Sequence, residues 1–242
     1  MRVALFVPCF VDRFAPQVAE ATVRVLRRLD VGVDYSPRQT CCGQPAFNVG
    51  RIDEARAVAE HFVRVFSGAE TVVAPSGFCV AMVRHRYPAL FAGHPLEAEA
   101  VALSQRVYEL SQYLVDVLGV DRLGASFAGR AVLHDACHAL RELGVSDQPR
   151  RLLANVRGLV VAEGASQGSC CGFGGLFSTR FAGVSTAMAD EKLKEALEAR
   201  ADVIISGEQS CLLHLEGRIR RRRLPLRTDH LAEVLAASEA AP

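Results

Sequence analysis

The sequence predicts an α/β protein built as two tandem repeats, each a mostly parallel sheet with helices on both faces. Three observations carry this. Short apolar runs alternate with segments of helical periodicity along the chain, the pattern of βαβ units rather than of hairpins. The tripeptide Cys41-Cys42-Gly43 returns as Cys170-Cys171-Gly172. Around each doublet stand one earlier and one later cysteine at matching intervals: 31 residues separate Cys9 from Cys41 and 36 separate Cys42 from Cys79, against 32 from Cys137 to Cys170 and 39 from Cys171 to Cys211. This uses all eight cysteines, four to each half, as a duplication requires.

In the first half, residues 3–7 form an apolar, β-rich run stopped by Pro8 and followed at once by Cys9. Residues 14–29 place Val18, Ala21, Val25 and Leu29 at helical spacing with arginines opposite. Residues 31–35 are a weaker strand, after which the doublet lies in a loop marked by Gly43, Pro45 and Gly50. Residues 52–66 read as a helix along Ala55, Val58, Phe62 and Val65, residues 71–74 as a strand, and Pro75-Ser76-Gly77 leads into Cys79 and a helix through Arg86. Residues 96–118 read as one longer helix through Val101, Val107, Leu110, Leu114 and Val117. Residues 119–129 are the expected boundary, giving domains of residues 1–122 and 123–242.

The second half repeats the scheme. Strand 131–133 runs into His134-Asp135-Ala136-Cys137, followed by helix 148–156, strand 159–161 and the glycine-rich doublet loop. An amphipathic helix over 184–200 carries Ala189, Leu193, Ala196 and Leu197 on one side. Strand 202–206 leads to Cys211 and another helix; a short segment at 224–227 and a helix over 230–237 close the chain. In open α/β sheets ligands gather outside the carboxyl ends of the strands. Cys9, Cys79, Cys137 and Cys211 each follow a strand and meet a helix N-terminus, whose partial positive charge favours thiolate.

Composition bounds the function. The 242 residues are 50% hydrophobic and 23% charged, ordinary for a globular protein. A net charge of +1 predicts no nucleic-acid partner. The apolar run after Arg2 is too brief for a signal peptide and no stretch has the length of a spanning helix, so a cytoplasmic protein without direct membrane insertion is expected. Clustered cysteines in a reducing compartment bind metal or do redox chemistry more often than they form disulfides.

Cys9, Cys41, Cys42 and Cys79 are therefore the candidate metal ligands of one site, and Cys137, Cys170, Cys171 and Cys211 of the other. Zinc sites usually draw cysteines in pairs two to four residues apart. Adjacent cysteines point apart and more readily hold different irons of a cluster, which all-thiolate sites favour. Zinc bound in an interaction protein is the competing class. Buried thiols acting as small hydrophobes leave the repeated doublet unexplained, and a vicinal disulfide at Cys41–Cys42 would be strained.

The doubled pattern Cys-x31-Cys-Cys-Gly-x35-Cys and Cys-x32-Cys-Cys-Gly-x38-Cys resembles the cysteine-rich CCG domain pair of heterodisulfide reductase and of the iron–sulfur subunits of glycolate and glycerol-3-phosphate oxidoreductases. Chain length, and the segment His134-Asp135-Ala136-Cys137-His138, make it most similar to the lactate-utilisation protein A family. The resemblance implies two Rossmann-like CCG domains in pseudo-twofold relation. It also implies an iron–sulfur electron-transfer subunit, non-catalytic or co-catalytic, of a complex oxidising L-lactate to pyruvate. The partners implied are a ferredoxin-like iron–sulfur subunit and a third subunit. A glycolate, glycerol-3-phosphate or thiol/disulfide oxidoreductase is the alternative complex.

Heterodisulfide reductase ends its motif in Cys-x-x-Cys, whereas here the endings are Ser76-Gly77-Phe78-Cys79 and Glu208-Gln209-Ser210-Cys211. Four cysteines per site point to ordinary [4Fe-4S] clusters, one or two in number. Ser76 and Glu208 are candidates for an oxygen ligand or for contacts just behind the cysteines. His138, directly after Cys137, and His214, one turn after Cys211, are candidates to hydrogen-bond cluster sulfur or pass a proton; packed or capping histidines are the plain alternative. The arginines at 218 and 220–223 read as a solvated helix end or a dock for an acidic partner, and Arg141 and Glu142 as a family-like pair or a surface pair.

Overall fold

The computed structural model describes residues 1–162 and 168–238. The first half runs β1 (Arg2–Leu5), α1 (Cys9–Phe14), α2 (Pro16–Arg28), β2 (Gly32–Tyr35), α3 (Gln44–Asn48), α4 (Ile52–Phe66), β3 (Val72–Ala74), α5 (Gly77–Ala81), α6 (Tyr87–Leu90), α7 (Glu97–Ser104), β4 (Val107–Glu109) and α8 (Leu110–Gln112). The helices α5 and α8 continue into π-helical turns, Met82–Arg86 and Tyr113–Val117. The second half runs β5 (Ser126–Leu133), α9 (Cys137–Leu143), α10 (Asp147–Ala154), β6 (Arg157–Ala162), α11 (Leu176–Arg180), α12 (Ala182–Glu198), β7 (Val203–Ser206), α13 (Gln209–Arg222), β8 (Arg227–His230) and α14 (Leu231–Ala236).

Two four-stranded sheets result, β2-β1-β3-β4 and β6-β5-β7-β8, with every pairing parallel. The strand order is the same in both, as expected of a duplication. In each sheet the chain leaves the central strand first to one side and then to the other, so β1/β3 and β5/β7 are switch points where the carboxyl ends open a crevice. The first cysteine of each half follows the central strand, the doublet follows its first neighbour, and the last cysteine follows its second.

Helical periodicity is legible where burial is one-sided. Pro16 opens α2, which buries Val18, Ala21, Thr22, Val25 and Leu26, and α4 opens with Asp53 and Glu54 and buries Ala55, Ala59, Phe62, Val63 and Phe66. The single helix expected over residues 96–118 is instead α7, β4 and α8. Val107 pairs with Val72 and Glu109 with Ala74 at the sheet edge. Glu109 then caps α8, its carboxylate accepting from the Ser111 and Gln112 N–H groups. The apolar positions Val107, Leu110 and Leu114 satisfy helical spacing, and the unfilled edge of β3 overrides it. At the C-terminus a strand forms over Arg227–His230, where only a short segment at 224–227 is expected. His230 caps α14 in a capping box with Glu233.

The halves share a core, and beside it each keeps a buried cluster of its own. A continuous cluster joins Val18 and Val25 of α2 and Leu114 to Leu152 and Leu153 of α10 and Leu231, Val234 and Leu235 of α14. The packing is reciprocal: α2 lies on α14, and its counterpart α10 lies on α8 and the turn after it, the counterpart of α14. Likewise α5 meets α9, and α13 meets α1. This exchange defines a pseudo-twofold axis between the sheets. A very close approach across it is at Gly77, where an added Cβ would fall 2.5 Å from Ala139 Cβ and 3.0 Å from its Cα.

Gly77→Val should therefore destabilise the chain by about 1–3 kcal/mol, the usual result of forcing atoms into a packed contact. Gly217→Ala, where an added Cβ meets nothing within 4 Å, should hold or raise stability. Urea unfolding of both full-length variants checks the pair.

Candidate metal centre

Each half gathers its four cysteines at one rim. Cys9 is the first residue of α1 and Cys137 of α9. Cys79 and Cys211 stand in the first turns of α5 and α13. The burial matches across the repeat: Cys42, Cys79, Cys171 and Cys211 are buried, whereas Cys9, Cys41, Cys137 and Cys170 are half-buried. Each tetrad thus has a closed and an open side. The Cys9 and Cys41 sulfurs lie 3.6 Å apart, in contact, and a cavity of about 30 Å³ is lined by all four cysteines of the second half.

The glycine after each doublet is required by space as well as by backbone. Gly43 and Gly172 have φ of +86° and +90°, a region that favours glycine. A Cβ at Gly43 would lie 2.9 Å from the Ala55 carbonyl oxygen, and one at Gly172 would lie 2.5 Å from that of Ser185. Both doublet turns therefore press on the following long helix, α4 or α12. Their amides also face sulfur: Gly43 N–H lies toward Cys41 Sγ at 3.5 Å, Gly172 N–H toward Cys170 Sγ at 3.3 Å, and Phe173 N–H toward Cys171 Sγ at 3.5 Å. Tyr87 donates to the Cys42 carbonyl at 2.9 Å.

Crowding makes the thiols share protons unequally. Cys41 is held well below the ordinary thiol value by hydrogen bonds from Cys42 and Cys9, and Cys170 by those from Cys137 and Cys171. Cys9 is pushed up by its bond to Cys41 and by burial, as Cys137 is by Cys170 and burial. Cys42 is raised by Cys41, Cys79 and burial. Cys211 falls to about 7, chiefly through Cys171. Four adjacent thiols cannot all ionise alone; a bound cation removes that obstacle. Four soft donors, aimed amides and helix N-termini fit a thiolate-ligated metal or cluster.

The two rims face each other across the pseudo-twofold axis. Ser76 and Glu208, equivalent in the repeat, pair in an antiparallel bridge. Ser76 Oγ donates to Glu208 Oε2 at 2.7 Å and accepts from Cys79 N–H at 3.2 Å. Glu208 Oε2 also accepts from Phe78 N–H at 3.0 Å, and Oε1 accepts from Ser210 Oγ at 2.9 Å. One buried carboxylate therefore spans the starts of both helices that carry a last cysteine. Nearby, burial pushes Glu109 up to about 7. Aromatic contacts join the rims as well: Phe78 lies against His138 with ring centroids 4.4 Å apart, and Phe10 against Phe173 at 5.4 Å.

The remaining candidates separate. His138 Nδ1 is 3.4 Å from Cys137 Sγ. His214 reaches Ser185 Oγ at 3.3 Å, and Ser185 donates to the Gly172 carbonyl, so it supports the second doublet turn from behind. Arg218 and Arg222 pair with Asp190, and Arg220 with Glu216. Glu142 pairs with Arg86 of the first half, and Arg141 donates to the Gly168 carbonyl. Two further residues near the rims show their roles only in the fold. Gln39 accepts from Val7 N–H at 2.7 Å and donates to the Leu5 carbonyl at 3.2 Å, holding the first doublet loop to the end of β1. His134 is buried, and an imidazole nitrogen lies within 4.8 Å of the Cys171 and Cys211 sulfurs. Aligning the halves on Cys9 and Cys137 sets His134 opposite Phe6, and that contrast is the sequence signal that singles it out.

The fold and its two thiol tetrads define a protein of the cysteine-rich domain class termed CCG, which matches this chain twice, over residues 3–84 and 131–216. The chain is 48% identical to lactate utilization protein A of Geobacillus kaustophilus over 98% of its own length and 99% of that protein's. It is 45% identical to the protein of that name from Geobacillus thermodenitrificans, over 97% and 98%. The chain belongs to the lactate utilization protein A family. Among solved structures, a glutamate racemase of Bacillus anthracis aligns over 97% of this chain and 79% of that one, with 12% identity and a TM-score of 0.37, too slight a likeness to bear on function. Among the described residues no helix is long and apolar enough to cross a membrane.

Separate rims predict separate occupancy. Cys41→Ala should lower metal content by one site's share and Cys170→Ala by the other's, measured by metal analysis of protein still folded by circular dichroism. Loss of all metal from either change would mean one shared centre.

Proposed function

We propose that this chain is an iron–sulfur electron-transfer subunit of a cytoplasmic complex that oxidises L-lactate to pyruvate. The observation that carries the reading is the pair of opposed thiol tetrads in a member of the lactate utilization protein A family. Cys9, Cys41, Cys42 and Cys79 would hold one [4Fe-4S] cluster, and Cys137, Cys170, Cys171 and Cys211 the other. Such clusters accept and release electrons one at a time.

The protein's own residues supply the surroundings. Gly43, Gly172 and Phe173 direct N–H groups at the doublet sulfurs, which stabilises negative charge there. Buried Cys42, Cys79, Cys171 and Cys211 anchor each site from the protein side, while the half-buried pairs leave one side open to a partner. The partners we infer are a ferredoxin-like iron–sulfur subunit and a third subunit. Removing hydride from a 2-hydroxy acid calls for a base and a two-electron acceptor such as a flavin or nicotinamide. The first βα turn, where a dinucleotide phosphate loop would lie, is occupied by Pro8 and Cys9, so a relay role suits this chain better than substrate oxidation.

Two outcomes test this. Anaerobic reconstitution with iron and sulfide should give a brown protein with acid-labile sulfide; a colourless protein holding stoichiometric zinc sinks the reading. The loaded chain given L-lactate and an artificial acceptor should be inactive, with activity appearing when its partner subunits are added. Turnover by the chain alone would overturn the relay assignment.

A further inference from the structure

We propose that His134 is a nitrogen donor to the metal centre of the second half, so that the two centres differ in kind although their cysteines match. This rests on the reading that each thiol tetrad holds a metal centre. The repeat register sets up the comparison. Three positions before the first cysteine, at the end of the central strand, stand Phe6 in the first half and His134 in the second. Phe6 is buried and meets the edges or faces of Phe62 and Phe66 at centroid distances of 4.8 and 5.8 Å. That is ordinary core packing.

His134 is 4% exposed, and neither Nδ1 nor Nε2 meets a nitrogen or oxygen partner among the described residues; the imidazole turns instead to the Cys211 thiol. A buried polar group left unpaired costs about 1–3 kcal/mol, so a core imidazole with no oxygen or nitrogen partner is held there by what the neighbouring sulfurs offer. The candidates are close: one imidazole nitrogen and the sulfurs of Cys171 and Cys211 all lie within 4.8 Å of one another, and all three residues are buried. They come from the end of β5, the doublet loop and the first turn of α13. The imidazole is not on a mobile support. The His134 N–H donates to the Ile205 carbonyl at 2.8 Å, and its carbonyl accepts from Ser206 Oγ at 2.9 Å, which ties the residue to β7.

Taken up at an iron in place of one of the four thiolates, a neutral nitrogen donor removes negative charge and raises the potential of an iron–sulfur centre. The second centre is then the more easily reduced of the two, and electrons entering the chain come to rest on that side. The first centre, backed by Phe6, has hydrocarbon where the second has this imidazole.

Full-length protein loaded anaerobically with iron and sulfide, in unlabelled and ¹⁵N-histidine forms, is reduced and read by pulsed electron paramagnetic resonance. A histidine nitrogen coupling should be present and should change with the label. In His134→Phe, which installs the residue the first half uses, the coupling should be lost and the higher of the two reduction potentials should fall, with iron and sulfide content retained. The double variant His138→Ala/His214→Ala leaves His134 in place and should keep the coupling, so that loss there refutes the assignment even if His134→Phe does not fold. A loaded wild-type protein without histidine coupling, a coupling that survives His134→Phe, or its loss in the double variant overturns the assignment while leaving the cluster reading intact. Failure of the wild-type chain to take up iron defeats the cluster reading and this assignment together.

Discussion

The arrangement of both sites depends on a single buried carboxylate. Glu208 caps the helix that presents Cys211 and reaches across the pseudo-twofold axis to the Ser76 hydroxyl and the Phe78 N–H, at the start of the helix that presents Cys79. A buried charge is tolerated when its lone pairs are filled, and here the donors come from both halves. The position of one rim therefore fixes the position of the other. Gly77, one residue from Ser76, permits this by having no side chain where α5 passes Ala139.

Around that contact the duplicated halves have diverged in what they place behind identical cysteines. The first has an aromatic cluster, Phe6 with Phe62 and Phe66, and Tyr87 holding the Cys42 carbonyl. The second has His134 in place of Phe6, and His214 supporting the doublet turn through Ser185. A symmetric set of cysteines thus stands within an asymmetric setting, the kind of difference in surroundings that tunes one metal site apart from another without changing the spacing of its ligands.

Much of this is legible in the sequence because its signals are local. The repeated doublet, the strand before each outer cysteine, and the amphipathic periodicity of α2, α4 and α12 each sit within one short window. The glycine of each doublet is legible as backbone freedom, and its second reason, contact with the Ala55 and Ser185 carbonyls, lies in residues about a dozen positions away. β4 is hidden because Val107 and Leu110 also fit a helix, and only the open edge of β3 decides between the two. Ser76 and Glu208 stand out as departures from a five-cysteine motif; that they bond to each other depends on how the halves dock, which no pattern along a single chain records. His134 is masked by the cysteine three positions on, and its meaning emerges only when the two repeats are laid side by side.

The exchange of helices between the halves bears on how the chain is made. α2 belongs to the first repeat, yet the surface that covers it is α14, and Arg28 at the end of α2 donates to the carbonyls of Leu235 and Ala236 as well as Leu123. A ribosome emits the first repeat long before those residues exist. The nascent first half must therefore wait with an apolar helix face uncovered, and closes only when nearly the whole chain has emerged. What waits is the α2 face; Cys42 and Cys79 pack in a cluster whose buried members all come from the first repeat itself.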